Sequence, residues 1–254
     1  MAYLLSHPRL FSLIALILLW LAAQVGAYLG RRRSLRDDVR RDFEVLEAAT
    51  LTLLGLIIGF SFSMAISRYD QRKNYEEEEA NAIGTEYLRA GLLPSADGAT
   101  VRSLLISYLD QRILFYTTRD RRQLQQINTS TMQLQAKMWS AVQASAAAHP
   151  TPVVALAVAG MNDVLNSQGY TQAAWLNRIP PPAWALMLAV AIFSNGLVGY
   201  GLRAGNITSG LLFVLPLIVA TAFLLIADID SPRRGFISVP PQNLITLSES
   251  FHRK

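Results

Sequence analysis

Residues Gly59–Glu79 read GFSFSMAISRYDQRKNYEEEE. Up to Ser67 the stretch is apolar with small and hydroxyl residues interleaved. From Arg68 it is charged and rich in helix formers. No proline and no second glycine separates the halves, so one helix is predicted to leave an apolar medium and continue into water. The apolar half reaches back to Ala48. At about 1.5 Å per residue, Ala48–Ser67 is long enough to cross a hydrocarbon layer of about 30 Å.

Working outward, the same reading finds three more spans. Leu10–Leu29 carries no charged residue and is followed at once by Arg31, Arg32 and Arg33. Small residues around Ala22–Ala27 admit a cleaved leader as the alternative, which leaves the other spans untouched. Trp184–Tyr200 follows the proline run Pro180–Pro182, with Trp184 placed as an interface residue, and Thr208–Ile226 is the fourth span. Charged residues make up 16% of the 254-residue chain, against roughly 25% in a typical soluble domain. They crowd between the spans. The formal charge of +5 resides in short mixed clusters beside apolar segments, which anchor spans and do not point to nucleic acid. With no cysteine and three distant histidines, His7, His149 and His252, disulfides and thiolate-ligated metals are excluded. No metal-protease, phosphate-loop or dinucleotide motif is present. Neither a cofactor nor an enzymatic activity is predicted.

The expected architecture is all-α: a span pair in residues 1–67, a helical extramembrane domain in 68–182, a second span pair in 183–227 and a polar tail in 228–254. The segment Arg31–Glu47 is a charged connector that becomes helical before the second span. Within the extramembrane domain, Ala80, Ile83, Tyr87 and Ala90 recur at helical spacing and predict a buried stripe. Glu76–Glu79 reads as a solvated face, with Glu76 paired to Arg72 or Lys73. Pro94 ends this helix, Ala96–Gly98 forms a turn, and a helix with a stripe through Leu105, Tyr108, Leu109 and Arg112 starts near Thr100. A helix from about Arg119 to Ala148 is expected, with a possible interruption at Asn128–Thr131. Thr151 caps a further helix entered through Pro152. Pro152–Asn166 is too short before its polar residues to be a span and reads as a core helix, breaking near Ser167–Gly169. The last dozen residues are expected to be mobile.

Gly55 and Gly59 lie four apart and permit close helix packing. Asn195, in mid-span, requires a partner, for which a bond between helices is the simplest answer. Ser61, Ser63 and Ser67 have two readings: bonding back to helix carbonyls, or offering weak contacts to ions along an aqueous path. Ser63 and Ser67 share a face with Phe60; Ser61 does not. Leu56, Phe60 and Met64 have the spacing of a constriction that gates by dewetting. Arg68 reads as an interface anchor or a pore-mouth charge. Asp228 and Asp230 are expected to pair with Arg233, Arg234 or a neighbouring helix end.

Gly55–Pro94, GLIIGFSFSMAISRYDQRKNYEEEEANAIGTEYLRAGLLP, together with DIDSPRRGFI at residues 228–237, resembles the bestrophin-like family of bacterial and plant membrane proteins. More distantly it is similar to the bestrophin channels. The resemblance implies four-span subunits with a large cytoplasmic helical domain, assembled as pentamers around a pore lined by the second span. It implies a neck at Thr52, Leu56 and Phe60, and sets Ser67, Arg68 and Tyr69 at positions corresponding to the sequence that follows the family's pore-lining span. Beside it, helical spacing offers Ser63, Met64 and Ser67 as further pore-lining residues, and position at span ends offers Arg68, Tyr69, Asp228 and Asp230 as pore-mouth or interface residues. Tyr69 stands where a tryptophan is usual, and Thr52 replaces a bulky apolar residue. The family's calcium-binding acidic cluster has no counterpart in Glu76–Glu79 or Asp228–Asp230.

The expected function is therefore a homo-oligomeric passive ion channel in a bacterial inner membrane, its partners being the bilayer, inorganic ions and further copies of the chain. The alternative is a non-conducting scaffold or sensor that binds a partner through its helical domain. Burial of Phe60 within one protomer would favour the second. A transporter would require a broken helix at Pro216 and a repeat that the sequence lacks. Basic residues do not orient the chain. Arg31, Arg32, Arg33, Arg36, Arg40, Arg41 and Arg203 oppose Arg9, Arg68, Arg72, Lys73, Arg178, Arg233 and Arg234. Only the resemblance places the domain and both termini in the cytoplasm.

Overall fold

A computed structural model describes residues 7–32, 37–202 and 210–252. Arg33, Arg36 and Arg203, weighed above for orientation, and Thr208, at the start of the fourth span, lie outside these residues. The described chain is helical throughout: α1 (Pro8–Arg32), α2 (Asp37–Arg89), a 3-10 turn (Ala90–Leu92), α3 (Ser95–Thr117), α4 (Arg121–Ala148), α5 (Pro152–Leu176), α6 (Pro181–Gly201), α7 (Leu211–Asp230) and α8 (Gln242–His252). Among the described residues, four helical stretches are long and apolar enough to cross a membrane: Pro8–Arg32, Val39–Leu92, Pro152–Gly201 and Leu211–Asp230. The chain clusters into two units, residues 1–67 with 178–237, and residues 68–177 with 238–254. Helix α2 contributes to the first unit up to Ser67 and to the second from Arg68.

In the membrane unit, α1 packs on α6 and α7. Its buried residues Phe11, Ala15, Leu19, Ala23 and Ala27 repeat every four positions and make one narrow stripe. At one end Phe11, Trp184 and Phe223 form an aromatic cluster, with Phe11 and Trp184 centroids 5.0 Å apart in an edge-to-face pair. Trp184 is thus a buried packing residue. Farther along, Gly26 and Gly199 bring backbones together. A Cβ at Gly26 would overlap the Gly196 carbonyl, and one at Gly199 would overlap that of Ala23. Ser12 Oγ donates to the Ala220 carbonyl at 2.9 Å. Pro216 is accommodated inside an uninterrupted α7, so the fourth span is not broken there.

The extramembrane unit has its own core, including Ile83, Leu105, Tyr108, Leu109, Met138, Val142, Ala157, Met161 and Val164. Phe115, Tyr116 and Trp175 pack edge to face at one side of it. Helix α5 contributes its buried face here, as its length and polar residues predict. The Thr151 cap falls where the sequence places it, its Oγ1 accepting from Val154 N at 3.2 Å; Asp120 caps α4 as well, its Oδ1 accepting from Gln123 N at 2.8 Å.

Four local expectations are corrected. Helix α4 runs through Asn128–Thr131, and α5 runs through Ser167–Gly169; Thr131 and Ser167 face inward, where packing outweighs their weak helix preference. Ala96–Gly98 is the first turn of α3, not a separate turn, because Gly98 lets that turn lie against the Ala90 carbonyl. The described part of the C-terminal segment is not a loose tail: Gln242–His252 form α8, anchored by buried Leu244 and by Phe251, whose ring stacks on Tyr87 at 4.0 Å.

Candidate pore-lining helix face

A helix advances about 100° per residue, so positions nine apart point in opposite directions. In α2 that relation separates Leu54 from Ser63 and Leu56 from Ala65. Leu54 and Ala65 are buried, with 2% and 0% exposure; Leu56 and Ser63 are exposed. Thr52, Leu56, Phe60, Ser63, Met64 and Ser67 all fall on the exposed side within about a third of the circumference. Phe60 is 67% exposed. Ser61, nine residues from Thr52, is half-buried on the other side. That side faces α6, where Ser194 Oγ lies 3.5 Å from the Thr50 carbonyl oxygen and Phe43 packs on Tyr200. Thr50 and Thr52 donate their hydroxyls to the carbonyls of Leu46 and Ala48, at 2.7 and 2.8 Å, which satisfies them within the helix.

Gly55 and Gly59 sit at the margin of the exposed face. A Cβ built on either meets nothing within 4 Å. Between α1 and α6, close glycine packing occurs at Gly26, Gly30 and Gly199, whereas Gly55 and Gly59 meet no neighbour. Asn195 is fully buried, but its Nδ2 donates to Ala191 O of its own helix at 2.8 Å, and Oδ1 has no hydrogen-bond partner among the described residues. The expected bond to another helix is absent there.

Asp228 and Asp230 end α7 in buried positions. Asp228 accepts from Phe236 N and Ile237 N at 2.9 and 2.8 Å, and Asp230 accepts from Ile179 N with both oxygens at 3.1 Å. These carboxylates hold backbone amides. Gly235 is needed because a Cβ there would overlap the Asp228 carbonyl. The 228–237 motif is thereby explained as a loop folded around its first aspartate. Arg9 lies 4.0 Å over the Phe236 ring, and Arg234 contacts His7. Arg68 and Tyr69 belong to the extramembrane unit, both half-buried, Tyr69 against that unit's core.

Sequence reasoning missed a polar network inside the extramembrane unit. Glu79 and Arg112 are both completely buried and form a salt bridge through Arg112 Nε, with Arg112 Nη2 3.4 Å from Glu79 Oε2. Tyr116 and Thr171 also donate to Glu79 Oε2, at 3.4 and 3.2 Å. Burial acts to lower the Arg112 pKa, but Glu79 beside it outweighs that and holds it above its ordinary value. Burial, then Glu79, pushes the Tyr108 and Tyr116 hydroxyls up. Glu76 is buried and accepts from Asn243 Nδ2 at 2.6 Å and Leu244 N at 3.0 Å, tying α8 to α2. Arg72 donates to the carbonyls of Ala174 and Asn177 at 3.2 and 3.1 Å. Two of the four consecutive glutamates are therefore core residues; only Glu77 and Glu78 are solvated. The signal was available: Glu76, Glu79, Ile83, Glu86 and Ala90 follow one another at spacings of three and four. Among the described residues, no group of three or more His, Asp or Glu side chains is placed to hold a metal ion.

Comparison with curated proteins gives no match. Solved structures give the fold. A bacterial bestrophin homolog from Klebsiella pneumoniae, phased on zinc, superimposes with a TM-score of 0.65 at 15% identity, covering 95% of this chain and 98% of that one. Two single-residue variants of the Klebsiella pneumoniae homolog give TM-scores of 0.68 at 13% identity (95% and 97% covered) and 0.66 at 14% identity (93% and 98% covered). A family model described as the bestrophin-like domain matches residues 10–244. With four membrane-length helices, a helical extramembrane domain and this match over nearly its whole length, the chain belongs to the bestrophin-like family.

Proposed function

We propose that the protein is a passive ion channel, a homo-oligomer whose copies of α2 line a common axial path. The observation that carries this reading is the face Thr52–Leu56–Phe60–Ser63–Met64–Ser67, which lies exposed opposite buried Leu54 and Ala65. Leu56, Phe60 and Met64 form its hydrophobic constriction, and Ser63 and Ser67 offer hydroxyls below it. Gly55 and Gly59, open within the protomer, suit close approach by a neighbouring copy. By likeness to its family, the assembly is a pentamer in a bacterial inner membrane with the helical domain and termini in the cytoplasm. Arg68 and Tyr69 belong to its mouth.

The test is single-channel recording in planar bilayers of wild type and Phe60→Ala. Step-like currents that the substitution enlarges support the reading, and reversal potentials in a salt gradient assign the ion's charge. Silence from oligomeric wild type at all voltages and in both salts transfers the assignment to a non-conducting scaffold.

A further inference from the structure

We propose that the groove between α1 and α6 binds one acyl chain of an anionic phospholipid, with Arg32 receiving the lipid phosphate. The groove follows from the glycine contact. Where Gly26 presses on Gly196, neither residue has a side chain to fill the crease, and the flanking residues Val25, Leu29, Phe193 and Leu197 stand up as walls. Phe43 and Tyr200, with ring centroids 5.3 Å apart, line its end toward the α1 C-terminus. The groove is open along its length and offers a volume of about 600 Å³, within the roughly 300–1,000 Å³ of small-molecule sites. Phe193 is 71% exposed and Val25 57% exposed, in helices of membrane length, so the medium that fills the groove is hydrocarbon.

Charge selects the lipid class. Helix α1 contains no carboxylate anywhere, and it ends on exposed Arg31 and Arg32. Arg32 lies three residues beyond Leu29, one turn farther along the groove wall, and its guanidinium is held 4.5 Å over the Tyr28 ring. A planar guanidinium beyond an apolar groove matches a phosphodiester joined to an acyl chain. On α2, Arg40 stands one turn before Phe43 and is paired with Glu44 at 3.1 Å, and the Glu47 carboxylate, one turn after Phe43, lies against Gly201; the α1 arginines are the cations proposed to meet the phosphate.

The experiment is thermal unfolding of the full chain in neutral detergent, with added phosphatidylglycerol or phosphatidylcholine of identical chains. Bound lipid is counted in parallel by native mass spectrometry. Phosphatidylglycerol is expected to raise Tm more than phosphatidylcholine and to be retained at more molecules per chain. Arg31→Gln/Arg32→Gln abolishes that difference while leaving the phosphatidylcholine response intact. Val25→Trp, which fills the groove from an exposed position, reduces retention of both lipids. Equal responses of wild type to the two lipids, or a phosphatidylglycerol preference that survives the double substitution, would overturn the proposal. These readouts need no current, so they separate this site from the channel reading.

Discussion

Arg112 on α3 and Glu79 on α2 meet in the middle of the extramembrane core, both without exposure to solvent and joined by a salt bridge. Such a pair is costly to desolvate and costlier to halve. Arg112→Ala leaves Glu79 with the Tyr116 and Thr171 hydroxyls but no countercharge. A loss of about 3–5 kcal/mol is expected, whereas the apolar pair Glu79→Leu/Arg112→Leu recovers most of it. Chemical unfolding of the four-member cycle measures the coupling. Additive losses would show that the two residues do not act as a pair.

Glu86 behaves differently because no hydrogen bond among the described residues compensates its burial. It is fully buried, and neither carboxyl oxygen has a hydrogen-bond partner among the described residues. It abuts Gly160 of α5, with Arg89 on its own helix and Asp163 on α5 as the charged groups facing it. Burial pushes its pKa up to about 8, with Arg89 pulling down and Asp163 pushing up. The folded form therefore holds a proton that the unfolded chain releases above about pH 4.3. Between there and about pH 8 the native state binds more protons, so stability falls as pH rises, by at most about 1.4 kcal/mol per unit. Above about pH 8 both states are ionised and the loss levels off. Glu86→Gln is expected to flatten this dependence. An unchanged slope across pH 5–8 in the variant would assign it to other groups.

Asp228 holds Phe236 N and Ile237 N with its two oxygens. Asp228→Ala strands two amides beside a loop that Gly235 allows to fold tightly, and a loss of about 1–3 kcal/mol is expected. Asp228→Asn, which keeps one acceptor, falls between. Thermal unfolding ranks the three proteins. Equal stability of wild type and Asp228→Ala would mean that the amides find water instead.

The four apolar spans and the helical domain were legible because composition alone separates hydrocarbon from water; the two compact units divide between Ser67 and Arg68. Phe60, Leu56 and Ser63 were legible as one face because helical spacing fixes direction. What misled was reading residues by type. Four consecutive glutamates look solvated, yet a helix turns Glu76 and Glu79 inward while Glu77 and Glu78 face out. Their partners Arg112 and Asn243 lie 33 and 167 residues away, beyond any local pattern. The final helix was read as mobile for the same reason: its stability comes from Glu76 and Tyr87, distant in sequence. Glycine spacing also failed to choose between pairs. Gly55/Gly59 and Gly26/Gly30 share the same interval, and only the fold shows which of them faces another helix.

That choice gives the sharpest contrast between substitutions. Gly26→Leu drives a side chain into the Gly196 carbonyl and the Tyr200 amide. Backbone cannot yield as a flexible side chain does, so α1 and α6 must separate. A loss of about 3 kcal/mol or more is expected, seen as low yield and aggregation in detergent. Gly59→Leu meets open space in the protomer, and each chain should keep its helicity and unfolding midpoint. If copies of α2 approach one another there, the same substitution disturbs assembly while the fold survives, shifting the oligomer to smaller species on size-exclusion chromatography. Normal assembly and normal conductance in Gly59→Leu would remove that glycine from any contact between copies. Unfolding of the variant chain would mean instead that the exposed face of α2 is packed within the protomer.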